Sequence, residues 1–112
     1  MGKNDLGLKR KEKMLLNIIK KYKVSLISVE VREISQEYNK KEYLNDVAYI
    51  HLFDKILQEC DEDTNKIIRN EYLGKKRYRW YNEYYSRSTY YRLKNKALDE
   101  ILTYFFDDMN KK

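Results

Sequence analysis

Residues that break a regular backbone are almost missing from this chain, and their scarcity restricts its folds more than any other feature. Proline is absent and glycine stands at three of 112 positions, Gly2, Gly7 and Gly74. Tight β-hairpins draw heavily on such residues, whereas helices run best without them. Apolar residues then recur at three- and four-residue steps, which is the period of one helix face. Leu15, Ile18, Ile19, Tyr22, Leu26 and Val29 carry it first. After a frayed start over residues 1–8, the spacing predicts a helix from Lys9 to about Tyr38. Val24–Val31 is rich in β-branched residues and could form a strand, but no turn signal or partner strand accompanies it. Asn39-Lys40-Lys41 marks a break. Tyr43, Val47, Ile50, Phe53, Ile56 and Leu57 predict a second helix over Glu42 to Glu59.

Asp61-Glu62-Asp63 reads as an acidic helix start, where carboxylates cap free amides and complement the helix dipole. Thr64 to Leu73 follows as a helix with Ile67, Ile68 and Tyr72 inward, and Gly74 is expected to end it in the left-handed conformation. Trp80, Tyr81, Tyr84 and Tyr85 fit a short helix. Ser86 suits the N-cap of a final helix, in which Tyr90, Leu93, Ala97, Leu98, Ile101, Leu102 and Phe105 keep the period. The expected fold is all-α: a small helical bundle with a long N-terminal helix and a C-terminal helix-turn-helix. The length suits one domain, with 9–59 as an N-terminal helical part and 61–106 as the helix-turn-helix part.

Charge is distributed in blocks. Residues 1–23 carry a net +6, residues 24–74 a net −5, residues 75–96 a net +7 with Glu83 their one acid, and residues 97–112 a net −2. Two basic blocks flanking an acidic middle attract polyanions. The plain alternative is a solvated helix face; separately, Arg87 and Arg92 could pair with Glu83 or with the acidic middle. The lone cysteine, Cys60, cannot close an intrachain disulfide, which suits a reducing cytoplasm. No run of apolar residues approaches a membrane span. His51 and Cys60 lack companion ligands, so neither a metal nor a cofactor is expected. No glycine-rich phosphate loop and no nucleophile–base pair is recognisable, so an enzyme is not expected either.

The segment Ser86-Arg87-Ser88-Thr89-Tyr90-Tyr91-Arg92-Leu93-Lys94-Asn95-Lys96-Ala97-Leu98 resembles the recognition helix of sigma-70-type region 4 domains and of ArpU-like phage late-gene regulators. The similarity extends upstream to Asp63–Leu73, whose helix ends in Tyr72-Leu73 as the family's does, and covers roughly Asp61 to Leu102. The C-terminal motif is also similar to that of small uncharacterised mycoplasma proteins. Three departures accompany it. Twelve residues, Gly74 to Tyr85, separate the two motifs, fewer than is usual in the family. A basic, aromatic stretch replaces the usual acidic first helix, and the turn glycine is missing.

The resemblance implies a nucleoid-associated, cytoplasmic regulator of transcription that binds double-stranded DNA, with RNA polymerase and a second copy of the chain as further partners. Physical reading of the residues agrees. A recognition helix buries one face and offers another to the major groove. Tyr90, Leu93, Ala97 and Ile101 form the first. Arg87, Ser88, Tyr91, Arg92 and Asn95 form the second, where arginine can bond guanine and asparagine adenine. Amides at the Ser86 end can hold a phosphate, and Lys75, Lys76, Arg77 and Arg79 would line the nucleic-acid backbone. The aromatic run Tyr78, Trp80, Tyr81, Tyr84, Tyr85 is read as packing with its hydroxyls at the surface; stacking on single-stranded RNA is the rival use.

Overall fold

The computed structural model describes residues 2–36 and 39–110, and the side chains of 7–36 and 39–107. It is all-α, with no strand among the described residues. Helix α1 spans Gly2–Ser35, α2 Lys40–Glu59, α3 Glu62–Ile68 and α4 Arg87–Asn110. A π-helical turn, Arg69–Leu73, prolongs α3, and a single 3-10 turn, Trp80–Glu83, precedes α4. The stretch Val24–Val31 is helical. The expected fraying over residues 1–8 is not found, since α1 begins at Gly2. The expected end at Tyr38 lies outside the described residues; α1 stops at Ser35, and Gln36 follows at a φ of 58°. At about 1.5 Å per residue, the 34 residues of α1 match the 50 Å long axis of the molecule.

Two local devices set the helix junctions. The Asn39 side chain accepts the Glu42 amide at 3.1 Å and caps α2. At the α2–α3 corner, Asn65 Nδ2 donates to the carbonyls of Leu57 at 2.6 Å and Cys60 at 3.2 Å, adding to the Cys60 amide's bond to the Leu57 carbonyl at the end of α2. The Asp61 carboxylate makes no cap bond. Glu100 of α4 supplies one instead, accepting from the Asp61 amide at 3.2 Å and from Thr64 Oγ1 at 2.6 Å. The start of α3 is thus capped from another helix.

The core joins all four helices. Leu15 and Ile19 of α1, Phe53, Ile56 and Leu57 of α2, Ile68 of α3 and Leu98, Ile101, Leu102 and Phe105 of α4 close around one another with almost no exposure. Cys60 lies at its edge, where burial and then the charges of Glu100 and Asp61 push its thiol up to about 12. A second, smaller cluster gathers Ile67, Trp80, Tyr90 and Ala97 beneath the 3-10 turn.

The α1 pattern departs from expectation in its C-terminal half. Leu26 is largely exposed, and Ser25 takes the inward position, donating to Asp46 at 3.3 Å. Arg32 binds the same carboxylate at 2.7 Å. The α1–α2 seam is polar here. On the outer side of α1, Val24, Ile27, Val31 and Ile34 all lie exposed.

Leu98 is fully buried and Ile34 is 78% exposed. Leu98→Ala should lower the free energy of unfolding by about 2–5 kcal/mol, measured by urea denaturation. Ile34→Ser should leave the midpoint unchanged.

Candidate nucleic-acid interface

The π turn is where the site begins. Ile67, Ile68, Glu71 and Tyr72 all face inward, at spacings that continue the apolar face of α3. The wider turn closes with the Gly74 amide on the Arg69 carbonyl at 3.0 Å. Gly74 is extended there, at φ −99° and ψ −169°, not left-handed as expected, because the π hydrogen bond has already closed the helix end. The chain is released directly into the 75–79 segment.

Among the described residues Glu71 is the one buried carboxylate, with 4% of its side chain exposed. Its charge is met from four directions. Trp80 Nε1 donates at 2.8 Å and the Tyr90 hydroxyl at 2.7 Å to Oε1. Lys76 Nζ lies 2.6 Å and Lys94 Nζ 3.7 Å from Oε2. Burial alone would raise the Glu71 carboxyl, but the bonds from Lys76, Tyr90 and Trp80 and the charge of Lys94 together hold it below its usual value. The network continues to α1. Lys94 also reaches Glu12 at 3.1 Å, and the Tyr72 hydroxyl donates to Glu12 at 2.6 Å. Burial, then the Glu71 bond and charge, pushes the Tyr90 hydroxyl well above its ordinary range, so it stays a donor.

Above this floor stands an aromatic cluster. Tyr81 stacks on Tyr90 with centroids 3.9 Å apart and an interplanar angle of 5°. Trp80 meets Tyr90 edge-on at 5.7 Å. The expectation that the aromatic run packs with its hydroxyls at the surface holds only in part. Trp80 is buried, but Tyr78 is 85% exposed, and the Tyr85 hydroxyl donates to Asp63 at 2.5 Å. The segment makes one 3-10 turn, Trp80–Glu83, rather than the short α-helix expected there. The departures in length and composition noted in the sequence fall on this turn.

Ser86 caps α4 as expected, its Oγ accepting from the Thr89 amide at 3.2 Å. Arg87, Ser88, Tyr91 and Arg92 are exposed on the first turns of α4. Asn95 is not among them: it is half-buried, with its Oδ1 shielded and unpartnered. Its position lies between the outer and packed faces, which withdraws it from the group expected to face a groove. Lys75, Arg77 and Arg79 are exposed beside α4, whereas Lys76 is committed to Glu71. Arg79 lies over Tyr78 at 5.1 Å and Arg87 over Tyr91 at 5.9 Å. Lys76, Tyr78, Arg79, Trp80, Tyr81, Arg87, Tyr90, Tyr91 and Lys94 surround a cleft of about 290 Å³ with Glu71 on its floor.

Glu71 and its donors were not foreseen. The signal was present: Glu71 stands four residues after Ile67 and three after Ile68, on the apolar face. A buried indole N–H or phenol also needs an acceptor. No protein-family model matches the chain, and neither does any curated protein or solved structure. His51 is exposed, and among the described residues no three His, Cys, Asp or Glu side chains gather as a metal ion would require.

Glu71→Ala strips a buried charge from two lysines and should cost about 3–5 kcal/mol of stability. The acid limb carries the same signature. A carboxyl held below its unfolded value of 4.5 contributes stability above that pH and loses it as pH falls through the lower folded value. Stability of the wild type should therefore drop below about pH 4.5, and Glu71→Gln should flatten that part of the profile, read by thermal melts from pH 3 to 7 with about one-unit steps.

Proposed function

We propose that the protein is a regulator of transcription that binds duplex DNA through the 75–79 segment and the first turns of α4. One observation carries the reading. Lys75, Arg77, Arg79, Arg87 and Arg92 form no ion pair with any described carboxylate. Were Arg87 and Arg92 tied to Glu83 or to the acidic middle of the chain, they would be paired there. The acids that do pair do so with other cations: Glu71 and Glu12 with Lys76 and Lys94, and Asp46 with Arg32. The exposed guanidiniums keep their full capacity for an external anion, and a polyphosphate rewards several such groups at once by releasing counterions.

In this reading Lys75, Arg77 and Arg79 hold phosphates and fix the register, and Arg87, Ser88, Tyr91 and Arg92 meet base edges or the phosphates bordering them. The cap at Ser86 and the packing of Tyr90 and Ala97 keep the first turns of α4 rigid. Preorganised side chains of that kind lose little entropy on binding. Lys76 serves the site from behind, as the cation that neutralises Glu71.

Selection from random duplexes at fixed salt should enrich one motif. Single substitutions of Lys75, Arg77 or Arg79 by alanine should weaken all duplexes alike and reduce the slope of log affinity against log salt by about 0.9 per lost phosphate contact. Arg87→Ala or Arg92→Ala should relax preference at one base pair by about 1–3 kcal/mol. Equal losses on selected and scrambled duplexes would confine the arginines to phosphate. No duplex binding at moderate salt, with RNA polymerase retained in a pull-down, would replace the reading by a polymerase-binding module.

A further inference from the structure

We propose that the cleft between the 76–81 segment and the first turn of α4 takes one unstacked nucleotide, its phosphate on the guanidiniums of Arg79 and Arg87 and its base against the exposed tyrosine rings. The inference rests on the nucleic-acid part of the reading above and names the unit the face receives.

Charge comes first. Four cations, Lys76, Lys94, Arg79 and Arg87, line the cleft against Glu71 alone. The Glu71 oxygens are already taken by Lys76, Lys94, Trp80 and Tyr90, so the floor repels no further anion than its two lysines offset. Arg79 and Arg87 are surplus, and a guanidinium fork matches phosphate geometry. Aromatic surface comes second. Tyr78 and Tyr91 stand 85% and 44% exposed at the cleft, each with an arginine over its ring. Flat rings next to guanidiniums are the usual platform for unpaired bases. A volume of about 290 Å³ suits a single small ligand rather than a length of duplex.

Backbone strain supplies a third, independent observation. Arg79 sits at φ 50° and ψ 41°, in the left-handed region. A side chain with a Cβ resists that conformation, and glycine or asparagine would relieve it. Arginine stands there instead, at the rim of the cleft, where strain in a working site is commonly held. The turn alone would favour glycine.

The chain's single tryptophan, Trp80, lines the cleft, so its emission on excitation at the red edge reports occupancy without a label. The probes are adenosine 5′-monophosphate, adenosine, inorganic phosphate, a short single-stranded oligoadenylate and a blunt duplex. The monophosphate and the single strand should each change Trp80 emission saturably. Adenosine or phosphate alone should bind at least about tenfold more weakly, since each lacks one of the two contacts. Arg79→Gly, which relaxes the backbone and removes the guanidinium, should abolish the response while raising thermal stability. Arg87→Gln should weaken it with helicity unchanged. A single strand that binds much more tightly than the monophosphate places the nucleotide in a polymer; equal affinities identify a free nucleotide, and both agree with the proposal. No saturable response to either, or an unchanged response in Arg79→Gly, overturns it. A duplex that binds while the cleft stays silent overturns this inference alone; a cleft that responds while no duplex binds overturns the duplex reading alone.

Discussion

The rest of this structure depends on a carboxylate in the wrong place. Glu71 lies on the apolar face of α3 and its π turn, where a charge costs several kcal/mol unless it is paired and hydrogen-bonded. The chain meets that cost by bringing four donors to it: Trp80 from the 3-10 turn, Tyr90 and Lys94 from α4, and Lys76 from the segment between. Two of the donors, Trp80 and Lys76, come from a stretch that holds no α-helix. The thirteen residues between Leu73 and Arg87 contain one 3-10 turn and no α-helix. Their conformation follows from where the carboxylate requires the indole and the ammonium to be.

The same interaction links fold to surface. Lys94 bridges Glu71 and Glu12, so α1, the π turn and α4 share one polar network just beneath the exposed basic face. Tyr90 donates to Glu71 and carries Tyr81 stacked on its ring, which sets one wall of the cleft. The cations proposed to meet nucleic acid, by contrast, form no ion pair with a described carboxylate. Arg77 and Arg92 make no described ion pair, and the rings under Arg79 and Arg87 are themselves exposed. Support and contact are thus divided between different side chains, as a preorganised binding surface requires.

Most of the fold was legible from period and punctuation. The absence of proline, the three- and four-residue apolar steps and the Ser86 cap located α2 and α4 to within a few residues, because burial of an amphipathic face dominates helix placement. What escaped had tertiary causes. Nothing local distinguishes Ser25 from Leu26 as the inward residue; the choice is made by Asp46 on a different helix. The cap on α3 comes from Glu100, 39 positions away, while the adjacent Asp61 goes unused. Gly74 offered a left-handed stop that the π hydrogen bond made unnecessary. At the site, the exposed positions of Arg87, Ser88, Tyr91 and Arg92 followed from helical spacing, but the withdrawal of Asn95 and the diversion of Lys76 depended on neighbours the sequence does not place. Glu71 was readable in principle, as a carboxylate in register with Ile67 and Ile68.

The Trp80 indole proton tests the central role of Glu71 most directly. The chain has one tryptophan, so a single indole N–H resonance reports on the bond to Glu71 Oε1. Hydrogen exchange at neutral pH should find that proton protected as strongly as the core amides of α4, and Glu71→Gln should speed its exchange while those amides stay slow. An indole proton that exchanges in the wild type as fast as one in free solution would contradict the account.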